Sequence, residues 1–362
     1  MGKTIMTVTG PVSPGQLGVT TMHEHILMKG GIFRQSFLDS HPGYPEPVDG
    51  DAKLALDNTG LVRRNFFLTW DAQELDDEEM MTGEVEDFKK SGGDTILELS
   101  VPGLRKDVAG LRRISQKTGV RVVTATGFYL QMSWPEAFLS YEIEDFYRVM
   151  MQEIKEGIEG TDVFPGLLKI GSSRLSRGEE KALRAAVRVS KETGLSLTVH
   201  PSSGIGGDAV AIVQILKEEG MDLSRTVIAH MGGKFFSCDM RNNVLFPENW
   251  KLNVDLPKRL MDTGVNISVE FINQSDMEAE GDVNPTDWMK MAGVVELLRQ
   301  GYAGQIVLGT DLCAKAQTRR GGSEGYARLT RYVLPELRDR IGVSPYAIRK
   351  MMEDNPARIL AY

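Results

Sequence analysis

Eight short apolar runs, separated by helical segments, constrain the fold of this 362-residue chain more than any other feature. Most are continuously apolar rather than alternating, which is typical of parallel strands buried on both faces. Strict alternation of strand and helix predicts a (β/α)8 barrel, since a closed parallel sheet leaves no unpaired edge. The alternative is an open, doubly wound sheet. The predicted strands are 19–26, 94–100, 120–129, 166–172, 195–201, 226–232, 265–272 and 305–312.

The remaining segments are predicted to be decorations of one barrel domain that spans residues 1–362. Residues 1–18, with Gly10-Pro11 at a turn, are expected to form a β-hairpin at one end of the barrel. Residues 27–76 form a long insertion after the first strand, and insertions of that length are usually lids, interfaces or binding loops. Amphipathic helices are predicted between the strands, among them 77–91, 178–193, 208–219, 284–300 and 324–341.

Composition excludes several functional classes. The net charge of −8 and the pI of about 5.4 give no electrostatic footprint for nucleic acid or an anionic membrane. The sequence shows neither a secretory signal nor a membrane span, and two cysteines are too few for a disulfide framework. These features predict a cytoplasmic protein that acts on a small molecule.

Metal-binding side chains stand near the ends of the predicted strands. Four of the five histidines are placed in this way, together with one lysine and one aspartate. Because the carboxyl ends of barrel strands form one rim, these side chains should converge. Imidazole and carboxylate are the ligands that Zn²⁺ or a similar metal prefers. The residues are His23, His25, Lys169, His200, His230 and Asp311.

Lys169 is the unusual member of this set. An ammonium group is costly to bury within the apolar run GLLKIG, so burial should favour the neutral amine. A neutral amine can add carbon dioxide and become a carbamate, whose two oxygens can bridge two metals. The alternative is a lysine that extends to the rim or pairs with an acid.

The ordered motifs resemble those of the phosphotriesterase family of the amidohydrolase superfamily. They are TVTGPVSPGQLGVTTMHEHILM, LLKIG, LTVH, VIAHMGG, LGTD and NPARIL. The resemblance implies a (β/α)8 barrel with two divalent metal ions, zinc being the expected metal. It implies that His23, His25 and Asp311 hold the more buried ion and that His200 and His230 hold the second. Carboxylated Lys169 would bridge both ions.

Such a centre would use a metal-bridging hydroxide to attack a carbonyl or phosphoryl group. Asp311 is expected to take up the proton, and Tyr129 to hydrogen-bond the developing oxyanion or simply to line the pocket. Basic residues after the fourth, sixth and eighth strands could bind an anionic group of the substrate. A small anionic ester, lactone or amide is therefore the expected substrate, with phosphotriesterase side activity. These basic residues are Arg174, Lys234, Lys315 and Arg319.

The sequence is also compatible with other functions. The chain could be a phosphotriester hydrolase proper, or a mononuclear deaminase of the same superfamily, which does not need Lys169. It could also be a metal-containing binding protein without turnover. The segment GIGGDA (204–209) fits a nucleotide-binding glycine pattern, but it lies on the wrong strand and has no suitably placed acid. The family tendency and the long insertion make a homodimer plausible.

Overall fold

Eight parallel strands form one continuous sheet, in the order in which they follow along the chain. The computed structural model describes residues 2–43, 47–201, 207–237, 239–271, 278–279 and 282–362. Each strand falls inside one of the eight predicted runs, which confirms the barrel prediction. The strands are β1 (Thr20–Glu24), β2 (Thr95–Glu98), β3 (Arg121–Phe128), β4 (Leu167–Gly171), β5 (Leu197–His200), β6 (Thr226–Ile228), β7 (Asn266–Glu270) and β8 (Ile306–Gly309).

The barrel closes where β1 meets β8. Asp311 donates its backbone N–H to the His23 carbonyl at 2.9 Å, and His25 donates to the Leu312 carbonyl at 3.2 Å. Gly309 permits this approach, because a Cβ at that position would lie 3.0 Å from the backbone N and O of His23. The first and last strands therefore bring their carboxyl ends together.

Helices surround the sheet as predicted, with one difference. The segment 324–341, predicted to be one helix, contains a 3₁₀ turn and two π-helical turns; these are Gly325–Ala327, Leu329–Val333 and Glu336–Arg340. Pro335 lacks a backbone N–H and interrupts regular α-helical bonding in this segment. The α-helices in the described part of the chain are Gly31–Ser40, Thr59–Arg64, Glu78–Lys90, Val108–Thr118, Ile143–Glu156, Arg177–Thr193, Ala209–Glu218, Met240–Leu245, Asp255–Met261, Asp287–Arg299, Pro345–Arg349 and Asn355–Leu360.

The two ends of the chain pack into the barrel interior. The N-terminal hairpin pairs Ile5–Thr7 with Gly10–Val12, as predicted, and Ile5 is fully buried. Ile5 joins Leu360 of the last helix in one apolar cluster with inward-facing strand residues such as Leu97 and Val307. Burial of this cluster removes apolar surface from water and closes one end of the barrel.

The insertion after β1 has secondary structure of its own. An antiparallel pair, Met28–Lys29 with Glu74–Leu75, brings its two ends together. Its side chains Val62, Phe66 and Ala72 pack against Ala314 and Ala316, which belong to the loop after β8. The insertion and the last loop therefore form one wall beside β1 and β8.

Among the described residues, no helix combines the length and the apolar composition that crossing a bilayer would require.

We expect Leu360→Ala to reduce the free energy of unfolding by about 2–5 kcal/mol, because it leaves a cavity among buried side chains. Leu56→Ala is the matched control: Leu56 is 94% exposed, whereas Leu360 is fully buried. The control should shift stability by no more than about 0.5 kcal/mol. Urea denaturation followed by circular dichroism measures both, and equal midpoints for the two variants would contradict the assigned role of the last helix.

Candidate metal centre

One half of the site comes from His23 near the end of β1, His25 just past that end, and Asp311, the second residue after β8. The Nε2 atom of His25 lies 3.5 Å from Oδ1 of Asp311, and Nε2 of His23 lies 3.7 Å from the same oxygen. The Nδ1 atom of His25 hydrogen-bonds the Ser100 hydroxyl at 2.8 Å, which turns its Nε2 toward Asp311. Two imidazoles on alternate positions of a strand share one face and can therefore bind one cation together.

Strands β5 and β6 supply the other half. The Nδ1 atom of His200 lies 2.7 Å from Nε2 of His230, and Nδ1 of His230 lies 3.9 Å from Oδ2 of Asp311. The Tyr129 hydroxyl, just past β3, is 3.3 Å from Nε2 of His200. The Asp311 carboxylate therefore stands beside histidines from both halves.

Lys169 belongs to the same cluster and is completely buried. Its Nζ atom is 3.3 Å from Nε2 of His23. The neighbouring strand position is Gly127, with φ 138°, where a Cβ would lie only 1.9 Å from the Lys169 carbonyl oxygen. Glycine is required there, because any larger residue would push β3 away from the lysine backbone.

Burial, together with repulsion from neighbouring cationic groups, favours the neutral form of two of the site histidines. Burial lowers the pKa of His23 to about 3, and burial and His230 lower the pKa of His200 well below its usual value. Burial opposes ionisation of Asp311, but the neighbouring histidines outweigh it and lower its pKa to about 2. Neutral imidazoles beside an ionised carboxylate form the donor set of a divalent cation.

The donor spacing fits a cation as well. One ligand atom each from His23, His230 and Asp311 lies within 4.8 Å of the other two. Both His230 and Asp311 have left-handed backbones, with φ of 61° and 53°. Such conformations cost about 1–3 kcal/mol each in non-glycine residues and cluster at functional sites.

Glu270, at the end of β7, is a site residue that the sequence reasoning missed. Its carboxylate lies 3.2 Å from Nδ1 of His23 and accepts the His230 backbone N–H at 2.9 Å. Lys290 in turn donates to the Glu270 carbonyl at 2.7 Å. Burial opposes ionisation, but His230 and His23 lower the pKa of Glu270 well below its usual value. The available signal was an acid near the end of the predicted strand 265–272, comparable with the position of Asp311 in the predicted strand 305–312.

Two of the four predicted anion-binding residues already have acidic partners. The ammonium of Lys315 lies 2.9 Å from Asp71 and 3.2 Å from Asp76, both in the insertion. The guanidinium of Arg319 lies 3.2 Å from Asp87, on the helix before β2. These carboxylates compete with any substrate anion for the two cations.

The other two basic residues lie on loops after β4 and β6. Arg174 is exposed and has a φ of 118°, while Lys234 is half-buried at the end of a 3₁₀ turn that begins one residue after His230. Residues 204–206 of the GIGGDA segment lie outside the described residues, so its nucleotide-binding interpretation stays without structural support.

A (β/α)8 barrel with histidines and carboxylates gathered at its strand ends defines a metal-dependent hydrolase. Residues 3–360 match the phosphotriesterase family, so the chain belongs to that family.

Individual relatives agree with this assignment over nearly the whole chain. An N-acetyltaurine hydrolase from Xenopus tropicalis is 29% identical and covers 99% of this chain and 98% of its own. The crystal structure of a resiniferatoxin-binding protein from Rhodobacter sphaeroides is 30% identical, with a TM-score of 0.83 over 99% of this chain and 94% of that one. A lactonase from Listeria monocytogenes, 22% identical with a TM-score of 0.75 over 99% and 98%, supports the fold alone.

We expect Glu270→Gln to weaken metal binding by about 10- to 100-fold, the usual effect of removing a group that orients a ligand histidine. Glutamine has nearly the same size as glutamate. Its NH₂ group cannot accept a hydrogen bond, however, and would face either Nδ1 of His23 or the backbone N–H of His230. Competition with a chelator of known affinity measures the change. Glu136→Gln, at an exposed position, is the control, and equal affinities in the two variants would refute the role of Glu270.

Proposed function

We propose that this protein is a binuclear metal-dependent hydrolase that cleaves an ester, lactone or amide bond in a small anionic substrate. One observation supports this most directly: a buried lysine lies among four histidines and an aspartate contributed by five different strands. The relatives named N-acetyltaurine hydrolase make an amide of an amino sulfonate the first substrate to test. Lactones and phosphotriesters complete the substrate panel.

In this proposal the six predicted ligands hold two ions. His23, His25 and Asp311 would hold one ion, and His200 and His230 would hold the other. Carboxylated Lys169 would be a ligand of both ions. When bound, two divalent cations supply a nucleophilic hydroxide near neutral pH and polarise the oxygen of the scissile group. Zinc is the expected metal, since it favours imidazole and carboxylate ligands.

Carboxylation of Lys169 is supported by its environment. Burial lowers the pKa of its amine to about 8, so a fraction of the side chain is neutral and nucleophilic near neutral pH. Attack of the neutral amine on carbon dioxide forms an N–C bond and releases one proton, leaving a carbamate. The carbamate replaces a cation with an anion, which a site for two cations favours.

In this proposal Asp311 accepts a proton during hydrolysis, and Tyr129 donates a hydrogen bond to the reacting group. Asp311 is ionised and lies beside histidines of both halves, so it can take the proton that hydrolysis releases. Burial and Asp311 raise the pKa of Tyr129 well above its usual value, so its hydroxyl stays protonated. A protonated hydroxyl beside His200 can donate to an oxygen on which negative charge develops.

The anionic part of the substrate is assigned to the loops after β4 and β6. Lys315 and Arg319 are held by Asp71, Asp76 and Asp87, so the proposal does not retain them. Arg174 and Lys234 are kept from the sequence-based prediction because they lie on the loops after β4 and β6.

Metal content tests the proposal first. Protein purified without added metal should carry about two zinc-like ions per chain, measured by elemental mass spectrometry. Lys169→Ala should lower this number and abolish hydrolysis across the substrate panel, while Lys217→Ala, at an exposed position, should change neither. One ion per chain after reconstitution with zinc and bicarbonate would favour the mononuclear alternative, and no bound metal would refute the proposal.

Asp311→Asn should retain most of the metal and lose about 10²- to 10⁴-fold in kcat, the range typical of a lost general base. The amide still offers an oxygen ligand, but it cannot accept the proton. Steady-state kinetics on the best substrate of the panel, with metal analysis of the same samples, measures both effects. Asp339→Asn, which alters an exposed ion pair with Arg338, is the control. Full turnover by Asp311→Asn would remove the proton-acceptor role.

A further inference from the structure

Glu24, the last residue of β1, lies between His23 and His25 and is completely buried, yet it takes no part in the proposed metal binding. We propose that Glu24 is a positioning residue, whose carboxyl group fixes the backbone on both sides of Asp311 and thereby aims the Asp311 carboxylate. This inference rests on the proposed function, because it concerns the residue assigned as proton acceptor and metal ligand.

The contacts of Glu24 surround Asp311. Its Oε1 atom accepts the backbone N–H of Thr310 at 2.7 Å, and its Oε2 atom accepts that of Leu312 at 3.0 Å. The Thr310 hydroxyl donates to Oε2 at 2.5 Å, and the Thr21 hydroxyl also donates to Oε1. One carboxyl group therefore holds the residues immediately before and after Asp311.

The backbone at Asp311 explains why such a group is needed. In a regular strand, successive N–H groups point in opposite directions, but Asp311 is left-handed, with φ 53°. The N–H groups of Thr310, Asp311 and Leu312 are consequently all bonded to β1: two to Glu24 and one to the His23 carbonyl. Successive N–H groups in such a turn form a concavity that accepts an oxygen ligand, and the Glu24 side chain fills it.

No other side chain is bonded to the N–H groups of Thr310 and Leu312 in the described part of the chain. The ladder hydrogen bonds of β8 to its other neighbour, β7, end at Gly309, before this turn begins. Removal of the Glu24 carboxyl group would take away the acceptor of two buried amides and of two hydroxyls, those of Thr21 and Thr310. The turn, and the Asp311 carboxylate with it, would then move.

Cobalt provides a readout that does not depend on substrate. In Glu24→Gln, the side-chain NH₂ group would oppose one of the donors now bonded to Glu24. We expect this variant to bind Co²⁺ about 10-fold more weakly or worse, with an altered visible absorption spectrum. In the zinc-loaded enzyme, kcat should fall by at least about 10-fold with KM unchanged, because the group affected acts on the reaction rather than on substrate binding.

Glu153→Gln is the matched control. Glu153, on the helix Ile143–Glu156, is also a buried glutamate, but its carboxylate pairs with Arg105 at 2.9 Å. We expect this control to lose thermal stability and to keep the wild-type cobalt spectrum and kcat. A general effect of removing a buried carboxylate would change both variants alike, and that result would overturn the inference.

Thr310 gives a second test that keeps Glu24 in place. Thr310→Val removes only the hydroxyl that donates to Glu24, and Thr310→Ser retains it. We expect the valine variant to show the same spectral change and loss of kcat in weaker form, and the serine variant to restore wild-type values. If Glu24→Gln does not fold, this pair decides the question.

The outcomes separate the inference from the function on which it rests. Wild-type protein that binds no cobalt would overturn the proposed metal-dependent function, and the inference with it. Wild-type binding together with an unchanged spectrum, affinity and kcat in folded Glu24→Gln would overturn the inference alone.

Discussion

The contact between the first and last strands is the constraint on which the site depends. The barrel closes only because Gly309 lets β8 approach the backbone of His23, and the Asp311 N–H then bonds to the His23 carbonyl. Without that closure, residues separated by almost the whole chain would not share one rim. The same hydrogen bond that seals the sheet therefore places a carboxylate beside two histidines, so the stability of the barrel and the geometry of the site cannot be altered independently.

The buried polar cluster also determines what the site can bind. Asp311 and Glu270 are both ionised, whereas burial keeps His23 and His200 neutral. Lys169, with its pKa lowered to about 8, offsets only part of this negative charge. Ionised groups buried without full compensation are costly, so the cluster should be stabilised by divalent cations. In the proposed function, the two cations would supply that compensation.

Features that depend on hydrophobic periodicity and strand topology could be predicted from the sequence. Contacts between side chains that are far apart in the sequence could not. Apolar runs located all eight strands, and the rule that parallel strand ends share a rim brought His23, Lys169 and Asp311 together. The partners of Lys315 could not be foreseen, because Asp71 lies 244 positions earlier and only the folded insertion brings it close. Glu270 lies near the end of the predicted strand 265–272, but its function emerges only from its contacts with two histidines.

The pairing of Lys315 also has a consequence for substrate orientation. The insertion packs on the loop after β8, and Asp71 and Asp76 neutralise the cation that this loop offers. In a barrel whose strands follow chain order, β4 lies across the mouth from β8. In the proposed function, an anion bound by Arg174, on the loop after β4, would therefore lie away from the β1–β8 closure. The scissile bond would then lie near the histidine cluster, with Tyr129 and the proton acceptor Asp311 both beside that cluster. This arrangement separates substrate recognition from proton transfer, so each can vary without disturbing the other.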